Sequence, residues 1–159
     1  MITADNCYGS CSGTGYGLIA FTANNCYGFS SGNYYGLYTK TANNCYGYSG
    51  GSAGYGIYAS YQALNCYGAT AGQGYGVYAT IAQGCYGESG ANGFGVYAKV
   101  ATSCFGKSTT AGGIGLSAGT ASNCAGDETS GGTAIQATIA NGCIAYSGTN
   151  SITYKYNMP

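Results

Sequence analysis

Apolar and polar positions alternate with a period of two in one short segment of every repeat along this chain. The segment is Gly-Tyr-Gly-Leu-Tyr-Ala or a variant of it. An aliphatic residue recurs at Leu18, Leu37, Ile57, Val77, Val96, Leu116, Ile135 and Ile152. A small residue follows two positions later, at Ala20, Thr39, Ala59, Ala79, Ala98, Ala118 and Ala137. Between the two stands Ile19, Tyr38, Tyr58, Tyr78, Tyr97, Ser117 or Gln136. Successive side chains of a strand point to opposite faces, so this pattern predicts a strand with aliphatic and small residues inward and tyrosine outward. Glycine and β-branched residues interrupt every window that a helix would need.

A second strand-like piece, Asn-Cys-Tyr-Gly, sets the repeat length. Its cysteine returns at Cys7, Cys26, Cys45, Cys66, Cys85, Cys104, Cys124 and Cys143, in steps of 19, 19, 21, 19, 19, 20 and 19 residues. A fixed short period means one structural unit stacked on copies of itself. The predicted fold is all-β: a single-stranded parallel β-helix (β-solenoid) of about eight coils of 19–21 residues, right-handed, with two or three short strands per coil. At about 4.8 Å per coil the rod would be about 38 Å long. Residues 1–142 read as the repeat array and residues 143–159 as a C-terminal capping coil. A transmembrane barrel needs antiparallel strands with two alternating turn types, which one repeated turn pattern opposes. A propeller blade needs a longer repeat.

The residue before each cysteine is Asn6, Asn25, Asn44, Asn65, Gly84, Ser103, Asn123 or Gly142. Asparagine and glycine tolerate positive φ best, so a sharp corner is expected there in every coil. Extra residues near Ser52, around Gln62–Leu64 and near Gly112 are expected in connections rather than in strands.

Composition narrows the function. Of 159 residues only four are lysine and four acidic, arginine and histidine are absent, and the formal charge is zero. Four scattered lysines do not neutralise a run of phosphates, so no nucleic-acid partner is expected. No apolar run has the length of a membrane span. Glycoside cleavage needs paired carboxylates, whereas Asp5, Glu88, Asp127 and Glu128 fall in different repeats and, on this reading, largely in turns. Without histidine there is no nucleophile–imidazole pair. The expectation is a chain that is not an enzyme and carries no cofactor.

Eight of the nine cysteines form the repeat ladder, and Cys11 stands apart, in an expected turn. The ladder, Cys7 to Cys143, reads as a core column of small buried hydrophobes. Side chains stacked in parallel meet the disulfide dihedral badly. A row of thiols also does not surround a tetrahedral ion. Ladders of asparagine and tyrosine are expected beside it.

Two outward tyrosine columns are the candidate contact surface. One follows the cysteines: Tyr8, Tyr27, Tyr46, Tyr67, Tyr86 and then Phe105. The other is Tyr38, Tyr58, Tyr78 and Tyr97. A third set, Tyr16, Tyr35, Tyr55, Tyr75 and Phe94, has the parity of the aliphatic ladder, and its direction is left open by the sequence. Rings with one hydroxyl suit sugar faces or a partner's apolar surface. The columns thin out toward the C-terminus, which places the contact surface in the first five or six coils.

The final Lys155-Tyr156-Asn157-Met158-Pro159 reads as a blunted β edge. The first coil reads as an open stack end, with Met1 as a point of excision from a longer chain. Repeats such as TANNCYGYSGGSAGYGIYA, closing on KYNMP, resemble a set of uncharacterised bacterial Gly/Tyr-rich repeat proteins, and more loosely the chain is similar to β-helical filamentous adhesins. The resemblance implies a right-handed β-helix and carries no binding residues. The expected role is a non-catalytic structural or interaction module, the C-terminal β-solenoid segment of a larger surface or secreted fibre or adhesin. The expected partners are a homo-oligomer or the remainder of a longer chain at the N-terminal end. A functional-amyloid-like filament subunit and a glycan-binding tail-fibre-like module are the alternatives. The expected location is extracellular or at the cell surface.

Overall fold

A computed structural model describes residues 2–158. Met1 and Pro159, weighed above as an excision point and as part of an end cap, lie outside the described residues. The strands are β1 (Thr3–Asp5), β2 (Tyr8–Cys11), β3 (Leu18–Ile19), β4 (Thr22–Asn24), β5 (Tyr27–Ser30), β6 (Leu37–Asn43), β7 (Tyr46–Ser49), β8 (Ile57–Leu64) and β9 (Tyr67–Thr70). They continue as β10 (Tyr75–Gln83), β11 (Tyr86–Ser89), β12 (Phe94–Thr102), β13 (Phe105–Ser108), β14 (Ile114–Ser122), β15 (Ala125–Glu128), β16 (Thr133–Asn141), β17 (Ile144–Ser147) and β18 (Thr149–Tyr156).

These strands wind into a parallel β-solenoid of two facing sheets. Ten strands form one sheet in the order β1-β4-β6-β8-β10-β12-β14-β16-β18, with β3 also pairing β6. The other eight form the second, from β2 through β5, β7, β9, β11, β13 and β15 to β17. Neighbours are parallel and one repeat apart, as in Val77↔Val96 and Tyr86↔Phe105. A complete coil therefore holds one short and one long strand.

The corner between them is the predicted one. Asn6, Asn25, Asn44, Asn65, Ser103 and Asn123 have φ of 50–54°, and Gly84 and Gly142 have 62° and 61°. Only residues that tolerate the left-handed region fit there without strain. Beyond this corner the chain enters the short strand, where Gly28, Gly47, Gly68, Gly87 and Gly106 meet the backbone of the opposite sheet. A Cβ on Gly87 would lie 2.0 Å from the Gly95 carbonyl oxygen, and one on Gly68 would lie as close to Gly76. A break in side-chain parity accompanies this contact. In β10 both Gly76 and Val77 are buried while Tyr75 and Tyr78 are half-buried.

The core is a set of vertical columns. Leu37, Ile57, Val77, Val96, Leu116 and Ile135 are wholly buried. So are Ala23, Ala42, Ala63, Ala82, Ala101, Ala121 and Ala140, a column of one alanine per coil beside the cysteines.

Three expectations are corrected. The extra residue around Gln62 lies inside a strand: Ala59 pairs Thr39 and Gln62 pairs Thr41, so Ser60 and Tyr61 oppose Lys40 as a β-bulge. Parallel stacking absorbs it because the bulged residues are outside the core. Ile152 does not continue the aliphatic column. The connection after Cys143 is short, the register shifts, and Ile152 pairs with Ala137 while Asn150 faces Ile135. Cys11 is not in a turn; it ends β2 and pairs with Ser30.

Candidate functional site

The short strands of the second sheet carry the first aromatic column on their outer face. Its rings stack from Tyr8 to Phe105, with centroids 4.7 Å apart and planes 2° apart at Tyr27–Tyr46, and 4.9 Å and 4° at Tyr46–Tyr67. Tyr38, Tyr58, Tyr78 and Tyr97 form the second column on the other sheet, at 5.1, 4.9 and 5.3 Å. The nine tyrosines thus lie on two different sheets and do not make one surface. The undecided third set resolves outward. Tyr35 lies 5.4 Å from Tyr58, and Tyr75 lies 5.5 Å from Tyr78, so the third set runs alongside the second column. The result is an aromatic face two rings wide on the ten-stranded sheet. Each stacked pair contributes about 0.5–1.5 kcal/mol beyond its burial.

Burial, and then neighbouring Tyr75 and Tyr35, push the Tyr55 phenol up to about 12. On the other sheet burial and the Glu88 carboxylate push Tyr67 up to about 12. Tyr67 donates its hydroxyl hydrogen bond to Glu88 at 3.3 Å. Lys107 stands 3.9 Å from the same carboxylate, a half-exposed pair of little energetic weight.

The second column stops at Tyr97. Ser117, Gln136 and Ser151 continue its register. The lost rings leave a groove of about 370 Å³ floored by polar side chains, among them Thr138 and Thr153. Ser117 donates to the Gln136 side-chain oxygen at 3.3 Å.

Inside the coil runs the column of thiols. Cys26, Cys45, Cys66, Cys85, Cys104, Cys124 and Cys143 are buried and unbridged. Cys7 is corrected: it occupies the ladder position but is exposed, because the terminal coil has a neighbour on one side only. Each thiol donates to the carbonyl two residues before it, at 3.1 Å for Cys26 to Asn24 and 3.1 Å for Cys66 to Leu64. The backbone N–H of one cysteine also points at the sulfur of the next coil, from Cys45 to Cys66 at 3.4 Å. The neighbouring Cys104 thiol and burial push the Cys124 thiol up to about 11.

Two features escaped the sequence reading. Four residues after each cysteine comes an inward hydroxyl that satisfies a turn carbonyl: Ser30 to Gly15 at 2.8 Å, Ser49 to Tyr34 at 2.7 Å, Thr70 to Gly54 at 2.8 Å. Its fixed offset was the available signal. Cys11 and Glu128 occupy the same position. Glu128 is wholly buried and accepts from the Ser130 and Gly132 N–H groups, while its Oε1 has no partner. The second feature is Met158. Asn157 repeats the corner at φ 47°, and Gly142 N–H donates to Tyr156. Met158 therefore follows at the place of the next cysteine and packs on the core.

The amide ladder runs one position before the corner, not at it. Asn43 donates to Asn24 at 2.8 Å and Asn24 to Asp5 at 2.6 Å. The acidic residues are in strands rather than turns, with Asp5 in β1, Glu88 in β11, and Asp127 and Glu128 in β15. Among the described residues no helix is long and apolar enough to cross a membrane. Comparison with protein-family models, with curated proteins and with solved structures gives no match.

Proposed function

We propose that the chain is a non-catalytic structural and interaction module, a rigid rod that presents aromatic surface within a surface-exposed or secreted fibre or adhesin. The observation that carries the reading is the double-width face of Tyr35, Tyr38, Tyr55, Tyr58, Tyr75 and Tyr78. Its rings are held rigid by stacking, so little side-chain entropy is lost when a partner docks. Replacing Tyr38, Tyr58 and Tyr78 together with serine tests it. Self-association by sedimentation velocity, or retention on cell surfaces, should fall at least tenfold while the β circular-dichroism spectrum is kept. Unchanged association in a folded variant ends this reading.

A glycan-binding role is the second reading, and the groove beyond Tyr97 favours it. A pyranose ring laid on the terminal face of Tyr97 would extend the stack and meet Ser117 and Gln136. Tyr97→Ala should then abolish glycan-array signal and leave self-association intact. A filament built by end-to-end growth requires the last coil to accept another, and Lys155 stands in the way: it takes the inward register position of Ala140. Inward charge on an edge strand blocks further pairing.

A further inference from the structure

The thiol column is the largest set of reactive side chains that the proposed function leaves unused. Among the described residues no three ligating side chains converge on one point, as a tetrahedral ion requires. A column offers its ligands differently, two at a time along its axis. The rings that follow the cysteines gauge its rise. Tyr46 and Tyr67 pair in register, with centroids 4.9 Å apart. The Cys45 and Cys66 thiols therefore follow one another along the column axis, one coil apart, with both side chains buried. Soft closed-shell cations take thiolates and accept linear two-coordination.

The backbone supplies an independent observation. Cys26 N–H points at the Cys45 sulfur at 3.5 Å and Cys45 N–H at the Cys66 sulfur at 3.4 Å. Hydrogen bonds to sulfur stabilise a metal-bound thiolate. Cys45 and Cys66 are the one pair of neighbours in which both sulfurs have such a donor.

We propose that neighbouring thiols of the column, Cys45 and Cys66 first, bind a soft cation in linear two-coordination. Each thiol gives its proton to water, two S–H bonds break and two sulfur–metal bonds form, and no oxidation state changes. A divalent ion such as mercury(II) leaves a neutral bis-thiolate. Silver(I) or copper(I) leaves one buried negative charge, which the core disfavours. Seven buried thiols taken two at a time give three neighbouring pairs and one left over.

The test uses the reduced full chain carrying Cys7→Ser and Cys11→Ser, titrated with mercury(II) chloride. Near-ultraviolet thiolate-to-metal absorption follows binding, native mass spectrometry counts ions, and X-ray absorption counts sulfurs. The expected result is saturation at three ions per folded chain, each with two sulfurs at about 2.3 Å. Zinc(II) at the same concentration should not bind. On that background Cys26→Ala removes the unpaired thiol, leaves six consecutive thiols and keeps three ions. Cys45→Ala isolates Cys26 and lowers the count to two. One ion per sulfur, three or four sulfurs per ion, binding only with loss of the β spectrum, or equal binding of zinc overturns the proposal. If Cys45→Ala fails to fold, the ion count of Cys26→Ala and the sulfur count decide it.

Discussion

Gly87→Ala sets two effects of opposite sign against each other. The change removes backbone freedom from the unfolded chain, and where the native conformation admits a Cβ this stabilises by about 0.4–1 kcal/mol. Here the new Cβ would lie 2.0 Å from the Gly95 carbonyl oxygen and 2.5 Å from its carbon. Ordinary contact begins near 3.4 Å, so the two sheets must part by roughly 1.4 Å at a point where both partners are backbone and neither can rotate away. Overpacking of this kind costs about 1–3 kcal/mol, and the upper end applies because no flexible atom yields. The net expectation is destabilisation by about 2 kcal/mol, a fall in melting temperature of about 4–8 °C for a chain of this size. Gly13→Ala is the matched control, since nothing lies within 4 Å of its Cβ position and its φ is ordinary. It should be neutral or slightly stabilising. Thermal and urea denaturation of both variants read the difference. A Gly87→Ala protein as stable as the parent would refute the claim that the two sheets touch through glycine.

Glu128→Ser should stabilise the fold by about 1–3 kcal/mol in urea denaturation, because it removes a buried carboxylate oxygen with no partner and restores the hydroxyl found in neighbouring coils; a loss of stability would contradict this. Lys155→Ala should turn a blunted end into one that accepts another coil, and sedimentation velocity should then show species that grow with concentration; a variant that behaves as the parent at every concentration argues against the blocking role. Tyr55 and Tyr67 ionise at about 12 in the fold against 10.0 for an ordinary phenol. Below pH 10 both states keep the proton; between 10 and 12 the unfolded chain releases it first, so stability should fall through that window, with a late step in the phenolate absorbance that Tyr67→Phe reduces. Under native, reduced conditions Ellman's reagent should find Cys7 at once and Cys11 more slowly, with the seven buried thiols reacting only after denaturation; rapid reaction of all nine would mean the column is open.

Much of the architecture was written in single positions of the repeat. Asn or Gly before every cysteine demanded a corner, and the alternation of Leu37, Tyr38 and Thr39 demanded a two-faced strand. Where pattern reading failed, the cause was backbone geometry that leaves no compositional mark. Tyr75 and Val77 share parity in the sequence, yet Val77 is wholly buried while Tyr75 lies beside Tyr78 in the outer aromatic face. The extra residue read as connection around Gln62–Leu64 is a bulge at Ser60–Tyr61, since a parallel stack tolerates an extra residue wherever the core is not disturbed. Ile152 looked like the next aliphatic rung and slid to the position of Ala137, in the small-residue column, when its connection shortened.

The chain's own letters determined the period, the parallel stacking and the content of each column, because a local corner repeated at fixed spacing admits few other arrangements. Only the folded structure decided which columns share a face, that the rings of two sets merge into one aromatic surface, and that Met158 packs on the core beyond Cys143. Those outcomes depend on how two sheets bend around a narrow interior and on which coil has a neighbour. Both are relations between residues distant in the chain, which no periodicity within one repeat encodes.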